Sequence, residues 1–86
     1  MREEQIEVNV LFFARAHELA GTSRDTMVLR RGATVAEAQD ALGRKFPRLA
    51  GLLERSRIAV DEEFASPSRT IDDGAVLAVI PPVSGG

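Results

Sequence analysis

Cysteine is absent from this chain. That excludes disulfide staples, thiolate metal sites and any side-chain thiol nucleophile. No apolar run approaches the roughly 20 residues that a helix needs to span a bilayer. The first residues, Met1-Arg2-Glu3-Glu4, also lack the basic-then-apolar order of a secretory signal, and a cytoplasmic address is the expectation. Basic charge is not in surplus: 11 Lys and Arg stand against 13 Asp and Glu, for a net charge of −2. The basic residues are scattered, which argues against a nucleic-acid partner. Neither GxGxxG nor GxxxxGK[ST] occurs, so no glycine-rich phosphate loop is present. Histidine occurs once. His17 has no Ser, Cys or Asp constellation that could make it a general base, and a surface or helix-cap role suits it better. The acidic run Asp61-Glu62-Glu63 lacks the spaced oxygens and glycine of a calcium loop, and reads as a solvated turn.

What is present describes one small folded domain. A chain of 86 residues buries only about 60–65% of its unfolded surface, so its core is small. A 44% hydrophobic and 28% charged composition is that of a globular protein and argues against disorder. Ile6, Val8, Val10 and Phe12 alternate with Glu7 and Asn9, the period of a strand with one buried face. Leu11 and Phe13 break the pattern and must point to the opposite face. Residues 14–20 favour a short helix closed by Gly21, and 26–29 favour a strand returning antiparallel to the first. Thr34-Val35-Ala36-Glu37 fits a capping box. Val35, Ala38, Leu42 and Phe46 then form one apolar helical stripe, stopped by Pro47. Leu49, Leu52 and Leu53 form a shorter helical patch. A brief strand is expected at 58–60, with Phe64 beyond the acidic run. Asp72-Asp73-Gly74 is a turn leading into a last strand at 76–80, apolar on both faces as a central strand is.

The sequence closes on Gly85-Gly86, behind Pro81-Pro82, Val83 and Ser84. Two glycines remove every side chain from the end of the backbone, so it can enter a slot too narrow for other residues. The group then offered is the α-carboxylate of Gly86. With a pKa of about 3.3–3.7 it is an anion at neutral pH, and a poor acyl donor until activated. Chain ends are often small and frayed, but here a strongly apolar strand and a Pro-Pro spacer aim the tail. The division expected is a domain over 1–82 and a flexible tail over 83–86. On the face that the long helix leaves bare, Leu11 and Phe13 meet Ala78 and Ile80, provided that Leu77 and Val79 go inward, with Phe64 as a further candidate. Several apolar groups on one face beside the root of the tail favour a docking patch.

Val10-Leu11-Phe12-Phe13-Ala14 with Glu18-Leu19-Ala20-Gly21, Gly32-Ala33-Thr34-Val35, Asp73-Gly74 and Ile80-Pro81-Pro82-Val83-Ser84-Gly85-Gly86 resemble the small subunits of molybdopterin synthase. The resemblance covers nearly the whole chain and is most specific at its ending. Thiamine-type sulfur carriers also end in Gly-Gly but resemble it less at the Phe-Phe-Ala and Pro-Pro motifs. His17 stands where that family commonly has Arg, and Asp61 replaces a frequent Asn.

The resemblance implies an α+β, ubiquitin-like β-grasp fold: a mixed sheet of about 4–5 strands with one main helix packed across it and short accessory helices. It further implies a sulfur carrier. An adenylyltransferase of the ubiquitin-activating type uses ATP to adenylylate Gly86, and a sulfur donor protein converts it to a thiocarboxylate. The sulfur then passes to a cyclic pterin precursor in the large synthase subunit, within a heterotetramer. Phe13, Phe64, Ile80, Pro81 and Pro82 are implied as the partner interface, and Val83, Ser84 and Gly85 as the threaded tail. No cofactor or metal is implied as stably bound. The alternatives are a thiamine-type sulfur carrier and a ubiquitin-like modifier conjugated through Gly86.

Overall fold

The computed structural model describes residues 4–83. Five strands form one mixed sheet in the order β2-β1-β5-β3-β4. β1 (Gln5–Phe12) pairs antiparallel with β2 (Arg24–Arg30) and parallel with β5 (Val76–Ile80). β3 (Arg57–Val60) is antiparallel to both β5 and β4 (Glu63–Phe64). The terminal strands are thus parallel neighbours, with β5 in the centre, and a long helix crosses one face. This is the β-grasp fold expected from the sequence.

The alternation in β1 and β5 sorts their side chains between two faces. Ile6, Val8, Val10 and Phe12 are buried, as are Leu77 and Val79, and all six belong to one core cluster. Against them packs α2 (Val35–Lys45), which buries Val35, Ala38 and Leu42. Each fully buried aliphatic side chain contributes about 1.5–3 kcal/mol relative to exposure. Phe46 stands at the C-terminal cap of the helix, half-buried, with its ring edge-on to Phe12 at a centroid distance of 5.3 Å. After it a 3-10 turn (Pro47–Leu49) runs into α3 (Ala50–Leu53), and together they bury Leu49, Leu52 and Leu53 under one end of the core.

The start of α2 leaves none of its leading amides without an acceptor. Glu37 N donates to Thr34 Oγ1 and Thr34 N to Glu37 Oε1, the reciprocal capping box. Val35 N and Ala36 N donate to the carbonyls of Arg69 and Pro67. The stretch between β4 and β5 therefore lies along the helix start, and it buries Ile71 beneath it.

Several boundaries differ from those read in the sequence. β2 begins at Arg24 and not at residue 26, because backbone pairing to Leu11 and Val10 continues through charged side chains that carry no apolar period. The first helix, α1 (Arg15–Ala20), starts one residue later than expected. Ala14 takes φ 52° and ψ −126° where the chain leaves the sheet, a region costly for any residue with a Cβ. Gly21 closes α1 in the left-handed conformation, its amide bonded to the His17 carbonyl. The two residues of β4 are too short to show any period. At the far edge of the sheet, Lys45 reaches from α2 to β2. Its Nζ lies 2.7 Å from Asp25 Oδ2 and donates to the Thr26 carbonyl. This contact, chiefly its hydrogen bond, holds the Asp25 carboxyl below the ordinary Asp range.

Candidate functional site

The face of the sheet opposite α2 carries an apolar groove of about 530 Å³. The register explains its lining. Leu11 on β1 is level with Ala78 on the parallel β5, and Ala78 is opposite Ala59 on β3. Ala59 in turn pairs with Phe64 on β4. These four positions share one row across four strands, and Ala59, the most buried of them, forms the floor. Phe13, Ile80, Val76, Asp61 and Glu62 complete the lining. Phe13 and Phe64 remain 49% and 54% exposed, more than a monomer's core requires of a phenylalanine.

One end of this groove is the root of the tail. β1 and β5 run parallel, so their C-terminal ends lie side by side: Phe13 follows the last residue of β1, and Ile80 is the last of β5. Pro81, half-buried, and the exposed Pro82 and Val83 continue from there. Ser84, Gly85 and Gly86 lie outside the described residues. The structure therefore brings Phe13, Phe64 and Ile80 to one surface and starts the Pro-Pro segment at its edge. His17 is exposed on α1, and among the described residues its imidazole has no polar partner. A larger depression of about 590 Å³ lies between α2 and α3, but polar and charged side chains such as Gln39, Asp40, Arg44 and Glu54 line it, and no aromatic does.

Two features of the rim were not visible in the sequence. The guanidinium of Arg57 lies 3.7 Å from the centroid of the Phe64 ring, a cation–π stack that fixes the ring's attitude over the β3–β4 edge. Between β3 and β4, Asp61 and Glu62 both have positive φ, 49° and 73°, as a two-residue hairpin loop of the primed kind requires. Such loops announce themselves by Asn-Gly or Asp-Gly, and here neither dipeptide is present. Asp61 has a definite task. Its Oδ1 accepts from Val76 N at 2.9 Å while its own amide donates to the Val76 carbonyl, tying the hairpin to the first residue of β5. The bond needs only an acceptor, which a carboxylate supplies as well as an Asn side chain does.

The model of the ThiS family matches residues 10–86. The chain is 38% identical over 81 residues to the molybdopterin synthase sulfur carrier subunit of Arabidopsis thaliana, covering 94% of this chain and 84% of that one. To the subunit of the same name from Mycobacterium tuberculosis it is 37% identical over 82 residues, covering 94% and 99%. Among solved structures, small archaeal modifier protein 1 of H. volcanii superposes with a TM-score of 0.85 at 26% identity, over 91% of this chain and 99% of that one.

Proposed function

This chain belongs to the ThiS family, and we propose that it is the sulfur carrier subunit of a molybdopterin synthase. The observation that carries the reading is the near-full-length likeness to proteins of that one name. The apolar groove beside the tail root supports it, since a carrier must present its terminus to other proteins.

In this reading the reactive atom is the carboxyl carbon of Gly86. An activating enzyme joins the carboxylate to the α-phosphorus of ATP and releases pyrophosphate, which gives the carbonyl a good leaving group. A sulfur nucleophile then forms a C–S bond and displaces AMP, leaving a thiocarboxylate. The thiocarboxylate sulfur forms a C–S bond to the pterin precursor in the large subunit. Water then attacks the acyl carbon and breaks its bond to sulfur, leaving the sulfur on the pterin and restoring the carboxylate. Gly85 and Ser84 offer little bulk to the channel that receives them. Pro81-Pro82 stiffens the base of the tail, with Val83 between the two. Phe13, Phe64 and Ile80 dock the activating enzyme and the large subunit in turn. The chain is a co-substrate: it brings sulfur, and the acids and bases of the reaction belong to the partner.

A second reading, a modifier joined through Gly86 to lysines of other proteins, is favoured by the likeness to small archaeal modifier protein 1. One experiment separates the two. The purified chain is incubated with its activating enzyme, ATP and sulfide, and mass spectrometry is applied to the product. Exchange of one terminal oxygen for sulfur is the result expected of a carrier, and it should vanish on deletion of Gly86. Replacing Gly85 with Leu should cost on the order of a hundredfold in single-turnover sulfur transfer, because a side chain in a channel shaped for backbone displaces the reacting carbon. Protein conjugates in place of the exchange, or native transfer without Gly86, would overturn the carrier reading.

A further inference from the structure

Glu62 occupies a backbone position that its side chain disfavours. At φ 73° its Cβ crowds the backbone, and a glycine there would avoid the cost. Its neighbour Asp61 is kept by the hydrogen bond to Val76, but the Glu62 carboxylate makes no hydrogen bond or ion pair among the described residues. It does line the apolar groove, at the end near Val76. Beyond the other end, outside the lining, Arg57 is level with Ile80 and stacks on Phe64. The groove is thus apolar along its floor and acidic at one end, with a cation beside its opposite rim.

We propose that Glu62 is a specificity-determining contact for the large synthase subunit, whose docking segment places a lysine or arginine against it. The proposal rests on the sulfur carrier reading. When an apolar segment covers the groove, the carboxylate at its rim loses water, and an unpaired, desolvated carboxylate opposes docking. A segment with a cation at that point removes the penalty, and one without it is rejected by the same penalty. The opposite charge of Arg57 at the far end favours one direction of the segment over the other. That direction would fix which way the partner faces the tail root.

The test uses the full chain and its own large subunit. Affinity is measured calorimetrically at low and high salt, alongside thermal melts, for the native protein, Glu62→Gly, Glu62→Lys and Ile80→Asp. Glu62→Gly should melt higher than the native protein yet bind at least about tenfold more weakly, with a flatter salt dependence, as loss of a close interfacial charge pair predicts. Glu62→Lys should bind more weakly still. A more stable protein with a weaker complex separates a partner contact from a role in the fold. Native affinity and salt dependence in Glu62→Gly, with Ile80→Asp failing to bind, would overturn this proposal and leave the groove as the interface. Native binding by Ile80→Asp would overturn both.

Discussion

Val79 and Ile80 are adjacent on one strand, and aspartate at each should produce opposite failures. Val79 is 0% exposed in the core. An Asp there forfeits about 1.5–3 kcal/mol of apolar burial and leaves a carboxyl without a partner, for a total of about 3–5 kcal/mol. A domain of 86 residues has only about 4–13 kcal/mol of stability at roughly 0.05–0.15 kcal/mol per residue. Val79→Asp should therefore be largely unfolded or melt far below the native protein. Ile80 points to the groove and is only partly buried. Its Asp variant keeps access to water, so a loss of about 1 kcal/mol is expected, a fall in Tm of about 4–8 °C. On docking, the same variant gives up most of a side chain's apolar burial and must desolvate a charge. Together these cost about 3 kcal/mol or more, a loss beyond about a hundredfold in Kd. Circular dichroism melts and titration against the large subunit measure the two effects. The reasoning fails if Ile80→Asp unfolds like Val79→Asp, for then the groove side is core. It fails equally if Ile80→Asp is folded and docks with native affinity.

Ala14 at φ 52° and ψ −126° stores strain on the order of 1–3 kcal/mol, of which Ala14→Gly should recover about 1 kcal/mol after the glycine's greater unfolded-state entropy is subtracted; an unchanged or lower melting temperature would refute the strain. The Lys45–Asp25 contact predicts a pH signature. Because the folded Asp25 carboxyl titrates below its ordinary value, the stability it contributes is present above about pH 4 and is lost as pH falls through that lower value. Lys45→Met should accordingly cost up to about 1 kcal/mol at pH 7 and progressively less as pH falls below about 4, and a gap in Tm that persists unchanged in acid would exclude the ion pair as its source.

Most of the fold was legible because its main elements carry apolar periods. The alternation in β1, the stripe on α2 and its Thr34-Glu37 cap each state an element and a buried face in one short stretch. The parts that were not legible are held by backbone pairing. Arg24 and Asp25 belong to β2 because Leu11 and Val10 lie opposite them, a fact about another strand. Arg69 and Pro67 serve α2 through their carbonyls, which every residue possesses, so side-chain identity could not reveal them.

The site divides along the same line. Leu11, Phe13, Ala78 and Ile80 could be assigned to one face because they are the apolar residues left over once the inward positions of β1 and β5 are filled. Ala59, Asp61 and Glu62 could not, since their place depends on the β3–β5 register and on a left-handed turn built without glycine. A strand that is apolar on both faces, in a sheet whose long helix covers one face, has one face more than the core needs. Leu77 and Val79 satisfy the core completely. The outward residues of β5 are therefore free to be selected for contact with other proteins, and the cost is an exposed apolar surface that only a partner can cover. Because Pro81 and Pro82 follow directly on that same strand, anything that grips the outward face also fixes the point from which they lead away.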